Sequence, residues 1–530
     1  MKSPKKKLFF LAALSFAAMT AVACGGGNTP VPSGTSTTSA EGSSTDSSVV
    51  QSSDDKPDEQ LPAGDPTREV EIPFWQCLGH EKSANLQNIV DAFNAKWKGK
   101  YKVNSVKVAG SYDALADAIK TKLSSGEIPA LAMGYPDSFS AYMTNDIEES
   151  SIYRLDGFIK DATYGYSEAE LEDFVPEFLN EGKSYQFRGT WSMPMYKSTE
   201  IMYYNASYMA GVNPQNKKKF ANNAEYNTLA TAVENATSKA TDEQLKALKD
   251  WVVEHEGYAY DVPVKWDDMI STARKIVADR AAQEITGEFY PVGYDSDANM
   301  LISQFAQRGI PYTVNSAAAN EDPDLHYVFN NDQAKSFLNI LVQNINDKLL
   351  ITKALLANKY TNELFTTGQC AMTVGSTGGS SYNVSANFTV RLAPVPYHGD
   401  APKYIQQGPS ICFFDNRDPF IHKGAWLFYK AMADGQANAE LALANSYDPV
   451  RNSSYETESY KSFIAKHADA MKYDIPYHTK DLRQYYMTSP VFPGSDTARV
   501  EIGNVLSYAI SSKLGVAGAL RKAYNICTDA

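Results

Sequence analysis

The chain has 530 residues, of which 62 are acidic and 49 are basic, so its formal net charge at pH 7 is −13. This balance argues against a nucleic-acid partner, because binding to a phosphate backbone requires a basic surface. The part after residue 68 exceeds the size at which a single hydrophobic core keeps growing, so we expect two domains.

The first 23 residues have the order of a secretory signal peptide. Four lysines precede the apolar stretch 8–19, which is too short for a transmembrane helix of ~20 apolar residues. Small residues at Ala21 and Ala23, followed by Cys24, resemble the lipobox of bacterial lipoproteins, whose cysteine is acylated. An ordinary secretory signal is the alternative. We predict lipidation of Cys24, which would anchor the protein at the extracellular face of the cell membrane.

Residues 24–68, which begin with the lipidated cysteine, are predicted to form a disordered tether. Ser, Thr, Gly, Asp and Pro dominate this stretch. Such a composition buries too little apolar surface to offset the entropy lost on ordering. The tether would let the folded part extend away from the membrane without fixing its orientation.

Strand and helix signals alternate between residues 69 and 134. EVEIPFWQ predicts a strand, and apolar residues at helical spacing over 86–97 predict a helix. YKVNSVKVAG predicts a second strand, after which Ser111 can cap a helix that carries Leu115, Ile119 and Leu123. PALAMG predicts a buried strand. This order implies a mixed or parallel sheet covered by helices.

Later segments indicate a second sheet. The stretch 190–205 is rich in β-forming residues, and residues 213–260 are polar and helical in character. Strand signals return at CAMTVG, VRLAPVP and YIQQGPSICFF, and helices dominate from Gly424 onward. A chain that leaves one sheet, builds a second and returns predicts two discontinuous α/β lobes, with the ligand between them.

The cysteines and histidines carry no metal signature. Cys77, Cys370, Cys412 and Cys527 never form C-x-x-C, and the seven histidines include no H-E-x-x-H. Outside the cell these four cysteines allow three disulfide pairings, among which the sequence does not choose. We expect them to be core residues, and we predict neither a metal nor a cofactor.

Nine segments carry a family resemblance. Their order and spacing are similar to those of extracellular solute-binding proteins (family 1) of ABC importers, most of all the carbohydrate and glycerol-3-phosphate binding branch. The resemblance covers nearly the whole chain from Glu69, apart from a predicted insertion at 213–261. The segments are EIPFWQCLGHE, VAGSYDALADAIKTKLSSGEIPAL, MPMYKSTEIMYYN, VPVKWDDMISTARKI, FTTGQCAMTVGSTGG, VRLAPVPYHG, QQGPSICFF, KGAWLFYKAM and NSYDPVRNSSYE.

The resemblance implies a two-lobe, periplasmic-binding-protein-like α/β fold of type II, with lobes joined by hinge crossings. Lobe 1 would comprise 69–190 and 400–445, and lobe 2 would comprise 191–399 and 446–530. It also implies a monomer that captures a carbohydrate, either an oligosaccharide or a glycerol-phosphate-like solute, and delivers it unchanged to ABC permease subunits. Because closure requires a ligand that contacts both lobes, we select candidate residues from both.

A sugar offers hydroxyl groups that need hydrogen-bond partners and apolar ring faces that stack on aromatic rings. Open sheets bind ligands at the ends of strands. The resemblance marks Tyr112 as a ligand tyrosine, with packing in its own lobe as the alternative. Glycerol-3-phosphate binders have a glutamate near Asp137, so the sequence departs from them there. The candidates of the first lobe are Trp75, Gln76, Glu81, Tyr112, Tyr135 and Asp137.

Further candidates lie in the crossing segment and after a later strand. Trp191 can stack on a sugar or belong to the core. Ser198 and Thr199 match family hydroxyls that contact ligand, with a solvated turn as the alternative. In GSTGGSS, hydroxyls and backbone N–H groups can receive a ligand, although no G-K-[ST] follows, so the segment is not a P-loop. Its candidates, for which a plain linker is the alternative, are Ser376, Thr377 and Gly378.

Three candidates follow from the resemblance in the C-terminal part. Gly408, in QQGPS, corresponds to a close backbone approach, with a tight turn as the alternative. Tyr447, in NSYDPVR, matches a second ligand tyrosine, with core packing as the alternative. Arg499 falls near the phosphate-binding arginine of the family. A guanidinium suits bidentate anion contact, and a surface salt bridge is the alternative.

Two other classes of function are weighed against transport. A secreted glycoside hydrolase would use two carboxylates, such as Glu81 and Asp137, about 5 to 9.5 Å apart. Nothing in the sequence marks such a pair, so we predict no catalytic residues and no enzyme. A surface adhesin or sensor that borrows the fold is the third hypothesis.

Overall fold

The computed structural model describes residues 59–79, 83–143, 150–235, 239–357, 359–467 and 470–529. These residues belong to one compact unit that spans 49–530. Cys24, the tether up to residue 58 and Glu81 lie outside the described residues. Within the described ranges, no helix is both long enough and apolar enough to cross a membrane.

The N-terminal part alternates between strands and helices, as the sequence predicts. Ser111 caps α2, because its Oγ accepts a hydrogen bond of 3.3 Å from the Ala114 N–H. The elements are β1 (Val70–Gln76), α1 (Ala84–Lys96), β2 (Tyr101–Lys107), α2 (Tyr112–Ser125), β3 (Leu131–Gly134), α3 (Pro136–Ser140), α4 (Asp156–Ile159), α5 (Glu168–Glu172), α6 (Pro176–Glu181), β4 (Met193–Pro194), β5 (Glu200–Asn205) and α7 (Ala206–Ala210).

The middle and C-terminal parts contain the remaining elements. The middle part comprises α8 (Pro214–Lys219), α9 (Ala224–Asn235), α10 (Asp242–Glu254), α11 (Trp266–Ala282), β6 (Tyr290–Tyr294), α12 (Asp297–Arg308), α13 (Ala317–Glu321), α14 (Asp332–Asn346), β7 (Leu350–Thr352), α15 (Asn362–Thr366), β8 (Cys370–Ser376) and β9 (Val390–Ala393). The C-terminal part comprises β10 (Tyr404–Ile405), β11 (Ser410–Phe413), α16 (Pro419–Met432), α17 (Gly435–Leu443), α18 (Glu458–Ile464), α19 (Met471–Thr479), β12 (Tyr486–Met487), α20 (Ser495–Ile510) and α21 (Gly515–Thr528).

The first lobe is built on a five-stranded mixed sheet of order β2-β1-β3-β11-β4. β1 is parallel to β2 and β3, whereas β11 is antiparallel to β3 and β4. Helix α16 covers this sheet, with the Phe428 ring 5.5 Å from Phe74 of β1 and 5.4 Å from Phe93 of α1. The predicted mixed sheet covered by helices is confirmed.

The second lobe is built on another five-stranded sheet, of order β7-β6-β8-β5-β9. β6 is parallel to β7 and β8, and β5 is antiparallel to β8 and β9. The strands predicted at CAMTVG and VRLAPVP are β8 and β9. The protein is therefore a two-lobe α/β protein, as predicted.

The chain passes between the sheets through segments that lie side by side. The first runs from β4 to β5. The second runs from β9 to β11 and passes through β10, which pairs with β12 outside the two sheets. Ser198 and Gln407 exchange backbone hydrogen bonds of 2.9 and 2.8 Å, and the Lys197 N–H donates to the Asp448 carbonyl at 2.9 Å. We call 195–199, 405–409 and 447–450 the crossing segments. The exact lobe boundaries stay a prediction, since β4 at 193–194 pairs within the first sheet.

The polar segment at 213–260 is helical, as predicted. Its helices α9 and α10 enclose a separate apolar cluster that includes Tyr226, Leu248 and Trp251. Its role as an insertion stays a prediction. Among the described cysteines, Cys370, Cys412 and Cys527 are buried free thiols, which confirms their place in the core, and Cys77 is a partly buried free thiol.

Candidate functional site

Four tyrosines meet where the two lobes join. Tyr112 begins α2 and Tyr135 directly precedes α3, and their ring centroids lie 4.8 Å apart in an edge-to-face arrangement. Tyr196 and Tyr447 come from two crossing segments, with centroids 4.6 Å apart. Burial raises the pKa of Tyr447, and a hydrogen bond with Tyr112 opposes that rise. We call these four residues the tyrosine cluster.

Two predicted glycines allow the cluster to pack. A Cβ on Gly378 would lie 2.8 Å from the Tyr447 hydroxyl oxygen. Gly408 has a φ of +90°, and its Cβ would lie 2.6 Å from the Tyr196 carbonyl oxygen. Both positions therefore exclude larger residues for reasons of contact, and Gly408 also for its backbone conformation. The close approach at Gly408 is to the backbone of 196–198, and its role in ligand binding stays a prediction.

A chain of polar side chains extends from the cluster into the second lobe. Arg499 Nε on α20 lies 3.4 Å from Asp137 Oδ2 on α3. The Arg499 Nη2 group donates to Asn299 Oδ1, and Asn299 Nδ2 donates to Glu200 Oε1 at 2.9 Å. The Tyr294 hydroxyl donates to Glu200 Oε2 at 2.7 Å. Asp137 is thus linked across the lobes to a buried acid of the second sheet.

Glu200 is the buried end of this chain. Its burial raises its carboxyl pKa to about 7, although hydrogen bonds from Tyr294 and Asn299 and the charge of Arg499 act in the opposite direction. Burial also raises the pKa of the nearby Tyr294 hydroxyl. The second lobe therefore positions Arg499 through the neutral acceptor Asn299, which is itself held by Glu200, an acid whose pKa is raised.

A second set of buried charges lies beneath the cleft. Lys197 Nζ forms an ion pair with Glu181 of α6, and it donates to Ser410 Oγ at 2.8 Å. Ser410 Oγ donates to Glu181 Oε2 at 2.6 Å, and Gln406 Nε2 donates to Glu181 Oε1 at 2.9 Å. Burial lowers the pKa of Lys197, while Glu181 opposes that shift. This network joins two crossing segments to the first lobe.

A narrow pocket between the lobes is lined by residues of both networks, the one that contains Arg499 and the one that contains Glu181. It includes side chains from α3, α6, the second crossing segment, the loop after β12 and α20. Gln406 is 6% exposed, and its Oε1 has no hydrogen-bond partner among the described residues. Its lining includes Tyr135, Asp137, Glu181, Gln406, Ser489 and Arg499.

Most of the remaining candidates near the crossing segments form hydrogen bonds with the backbone. Ser376 Oγ accepts from the Gly378 N–H at 3.3 Å, and the Thr377 N–H donates to the Thr199 carbonyl at 2.9 Å. The Thr199 hydroxyl donates to the Ile405 carbonyl at 2.9 Å. The Ser198 hydroxyl is buried without a hydrogen-bond partner in the described part of the chain. The structure therefore places GSTGGSS beside the crossing segments.

Three candidates lie away from this pocket. Trp75 is a partly buried residue of β1 that packs on the core, and Gln76 Oε1 accepts a hydrogen bond of 2.6 Å from the Leu78 N–H. Trp191 is fully buried, and its Nε1 donates to the Phe187 carbonyl at 3.2 Å. Trp191 has no exposed face on which a sugar could stack, which agrees with the core interpretation.

Sequence reasoning missed several residues of the site. Tyr196 carries only a weak signal, as an aromatic residue two positions before Ser198 in the crossing segment. Glu181, Gln406, Asn299 and Glu200 carry none, because nothing in their neighbouring residues indicates a partner that is far along the chain. Within the described residues, no group of three or more His, Cys, Asp or Glu side chains is arranged to hold a metal ion.

The fold and the inter-lobe site define a binding protein of the two-lobe type. A family model for bacterial extracellular solute-binding proteins matches residues 88–468, and the chain belongs to that family.

Among its curated relatives is the sn-glycerol-3-phosphate-binding periplasmic protein UgpB of Yersinia pestis bv. Antiqua. It is 23% identical over 430 residues, which cover 78% of this chain and 83% of the relative.

Solved structures share the fold. The GacH receptor of Streptomyces glaucescens, determined without ligand and with acarbose, has a TM-score of 0.58 and 15% identity, covering 88% of this chain and 100% of the other. UgpB from Mycobacterium tuberculosis, determined with glycerophosphocholine, has a TM-score of 0.58 and 16% identity, covering 87% and 98%.

Proposed function

We propose that this protein captures a carbohydrate, either an oligosaccharide or a glycerol-phosphate-like solute, between its lobes and delivers it unchanged to the permease of an ABC importer. The observation that carries the proposal is the tyrosine cluster together with the Asp137 and Arg499 pair. These groups come from both lobes and from the segments that join them. A ligand that contacts both sides stabilises the closed form, whereas one that contacts a single lobe does not.

The chemistry of the site supports a hydroxylated ligand. The partly exposed rings of Tyr112, Tyr135 and Tyr447 offer apolar faces to a sugar, and tyrosine hydroxyls can donate or accept hydrogen bonds. Tyr196 is fully buried and supports the cluster by packing. The relatives add support, because UgpB of Yersinia pestis is named for sn-glycerol 3-phosphate and the GacH receptor was determined with acarbose. Delivery to a permease follows from the role of solute-binding proteins as the capture component of importers.

The location follows from the N-terminal pattern. We propose that Cys24 carries the lipid and that the monomeric protein works at the extracellular face of the membrane, with residues 24–68 as its tether. Replacing Cys24 with serine removes the thiol and therefore the acylation site. The Cys24→Ser variant is expected to leave the membrane fraction, while the unaltered chain stays in it. Equal membrane retention of both would contradict the anchor.

Isothermal titration of the purified protein tests the binding function. The panel contains maltotriose, ribitol, glycerol 3-phosphate and glycerophosphocholine. We expect saturable binding of at least one of them and recovery of that solute intact. Tyr112→Ala is expected to weaken the binding, and Tyr382→Ala serves as the matched control because Tyr382 is 70% exposed. No measurable binding of any solute in the panel, or recovery of a cleaved solute, would overturn the proposal.

A further inference from the structure

The one arginine in the described lining of the inter-lobe pocket is already engaged by protein groups. Arg499 Nε faces the Asp137 carboxylate at 3.4 Å, and Nη2 donates to Asn299. A guanidinium has five N–H donors in a planar fork, so these contacts leave some donors available but orient the group. The side chains of Arg499 and Asp137 remain 30% and 26% exposed, so both still face the cleft.

One further group of the described pocket lining, the amide oxygen of Gln406, favours a hydrogen-bond donor on the ligand. Glu181 lies in the lining with its charge matched by Lys197 behind it. The Nε2 group of Gln406 donates to Glu181, which fixes the orientation of the amide. The enclosed Oε1 of the same amide has no partner among the described residues. An acceptor of this kind is costly to leave unpaired and is satisfied by a ligand hydroxyl that donates to it.

A phosphate monoester and a neutral sugar meet this lining differently. A dianion placed against Arg499 would lie beside the Asp137 carboxylate, and like charges at such a distance repel. A phosphate that pairs with the Nε edge of Arg499 would displace Asp137, which would then lose its partner. A hydroxyl group can instead accept from a remaining Arg499 N–H and donate to Asp137 or to Gln406 Oε1.

We infer that Asp137 determines specificity in this cleft: by occupying Arg499 it excludes phosphate monoesters and selects a ligand whose polar end is uncharged and carries several hydroxyls. The inference rests on the proposed function and narrows its ligand class to neutral carbohydrates or polyols.

Replacing Asp137 with asparagine tests this role, because the amide keeps the shape and removes the charge. We expect glycerol 3-phosphate to bind Asp137→Asn at least tenfold more tightly than it binds the unaltered protein, as measured by isothermal titration. The matched control is Asp496→Asn, which removes a carboxylate of α20 that pairs with Lys120 of α2 at 3.3 Å. This control is expected to leave glycerol 3-phosphate binding unchanged.

Asp137→Ser repeats the test with a smaller side chain, and thermal melting of each variant verifies that it is folded. Inorganic phosphate is the second probe, and it is expected to bind the Asp137 variants more tightly than the unaltered protein. Unchanged or weaker binding of both anions by folded Asp137 variants would overturn the specificity role. If the unaltered protein binds glycerol 3-phosphate more tightly than ribitol and maltotriose, the inference fails while the transport proposal stands.

Discussion

Lys197 and Glu181 form an ion pair whose side chains are 0% and 3% exposed, at the point where the chain leaves the first sheet for the second. The same lysine donates to the Gly408 carbonyl at 3.3 Å and to Ser410 Oγ at 2.8 Å. Two crossing segments and the end of α6 are thereby tied to one charged centre. A buried charge requires an opposite charge or hydrogen bonds nearby. If these segments separated, Lys197 or Glu181 would therefore be exposed to water or left buried without its partner.

Glu181→Gln is expected to destabilise the protein by about 3–5 kcal/mol, because it leaves the Lys197 ammonium buried without a counter-charge. Urea unfolding at neutral pH measures the change in the free energy of unfolding. Asp250→Asn is the matched control, since it breaks the pair of Lys246 and Asp250, whose side chains are 74% and 62% exposed. That control is expected to cost less than about 1 kcal/mol. Equal losses for both variants would contradict a structural role for the buried pair.

Gly408→Ala is expected to cost more stability than Gly126→Ala. Both glycines have positive φ, +90° and +78°, but a Cβ on Gly408 would lie 2.6 Å from the Tyr196 carbonyl oxygen and one on Gly126 would meet nothing within 4 Å. The Gly126 change therefore carries the backbone penalty alone, of roughly 1 kcal/mol, and Gly408→Ala adds the steric clash. Thermal unfolding of the two variants compares them. A smaller loss at Gly408 would show that the crossing segment relaxes freely.

Tyr447→Phe is expected to weaken binding of the solute identified by titration by roughly three- to tenfold, because one hydrogen bond contributes about 0.5–1.5 kcal/mol. Tyr447→Ala is expected to weaken it further, since the ring that packs on Tyr196 at 4.6 Å is also removed. Tyr360→Phe is the control, because Tyr360 is an exposed tyrosine of the second lobe. If Tyr447→Ala keeps the affinity of the unaltered protein, the tyrosine cluster does not contribute to solute binding.

Glu200 is expected to make stability depend on pH. Its pKa is about 7 in the folded protein against an ordinary value of 4.5, so the folded state holds the proton more tightly than the unfolded chain does. Stability is therefore greatest below pH 4.5 with respect to this group. It falls as pH rises to about 7, by roughly 3 kcal/mol in total.

Urea unfolding of the unaltered protein and of Glu200→Gln across pH 4.5 to 8 isolates this contribution, because the other titrating groups are common to both. The stability of the unaltered protein relative to Glu200→Gln is expected to decline over the interval and then level off. Parallel profiles would show that Glu200 ionises at its ordinary pKa.

The local elements were predictable from the sequence because their signals are local. Alternating apolar residues place β2, a short apolar run places β3, helical spacing places α1, and the position of Ser111 places the start of α2. Each depends on residues within a few positions, so neighbouring side chains and the backbone decide it. The presence of two sheets followed from the order of these signals along the chain.

Only the tertiary structure decided which distant side chains meet. Asp137 and Arg499 are 362 positions apart in the sequence, and Glu181 meets Ser410 only because β11 returns to the first sheet. Their partners are set by the pairing register and by the packing of α20 against α3, which no local pattern encodes. Burial and counter-charges then follow from that packing, so the electrostatics of the cleft depend on the fold as a whole.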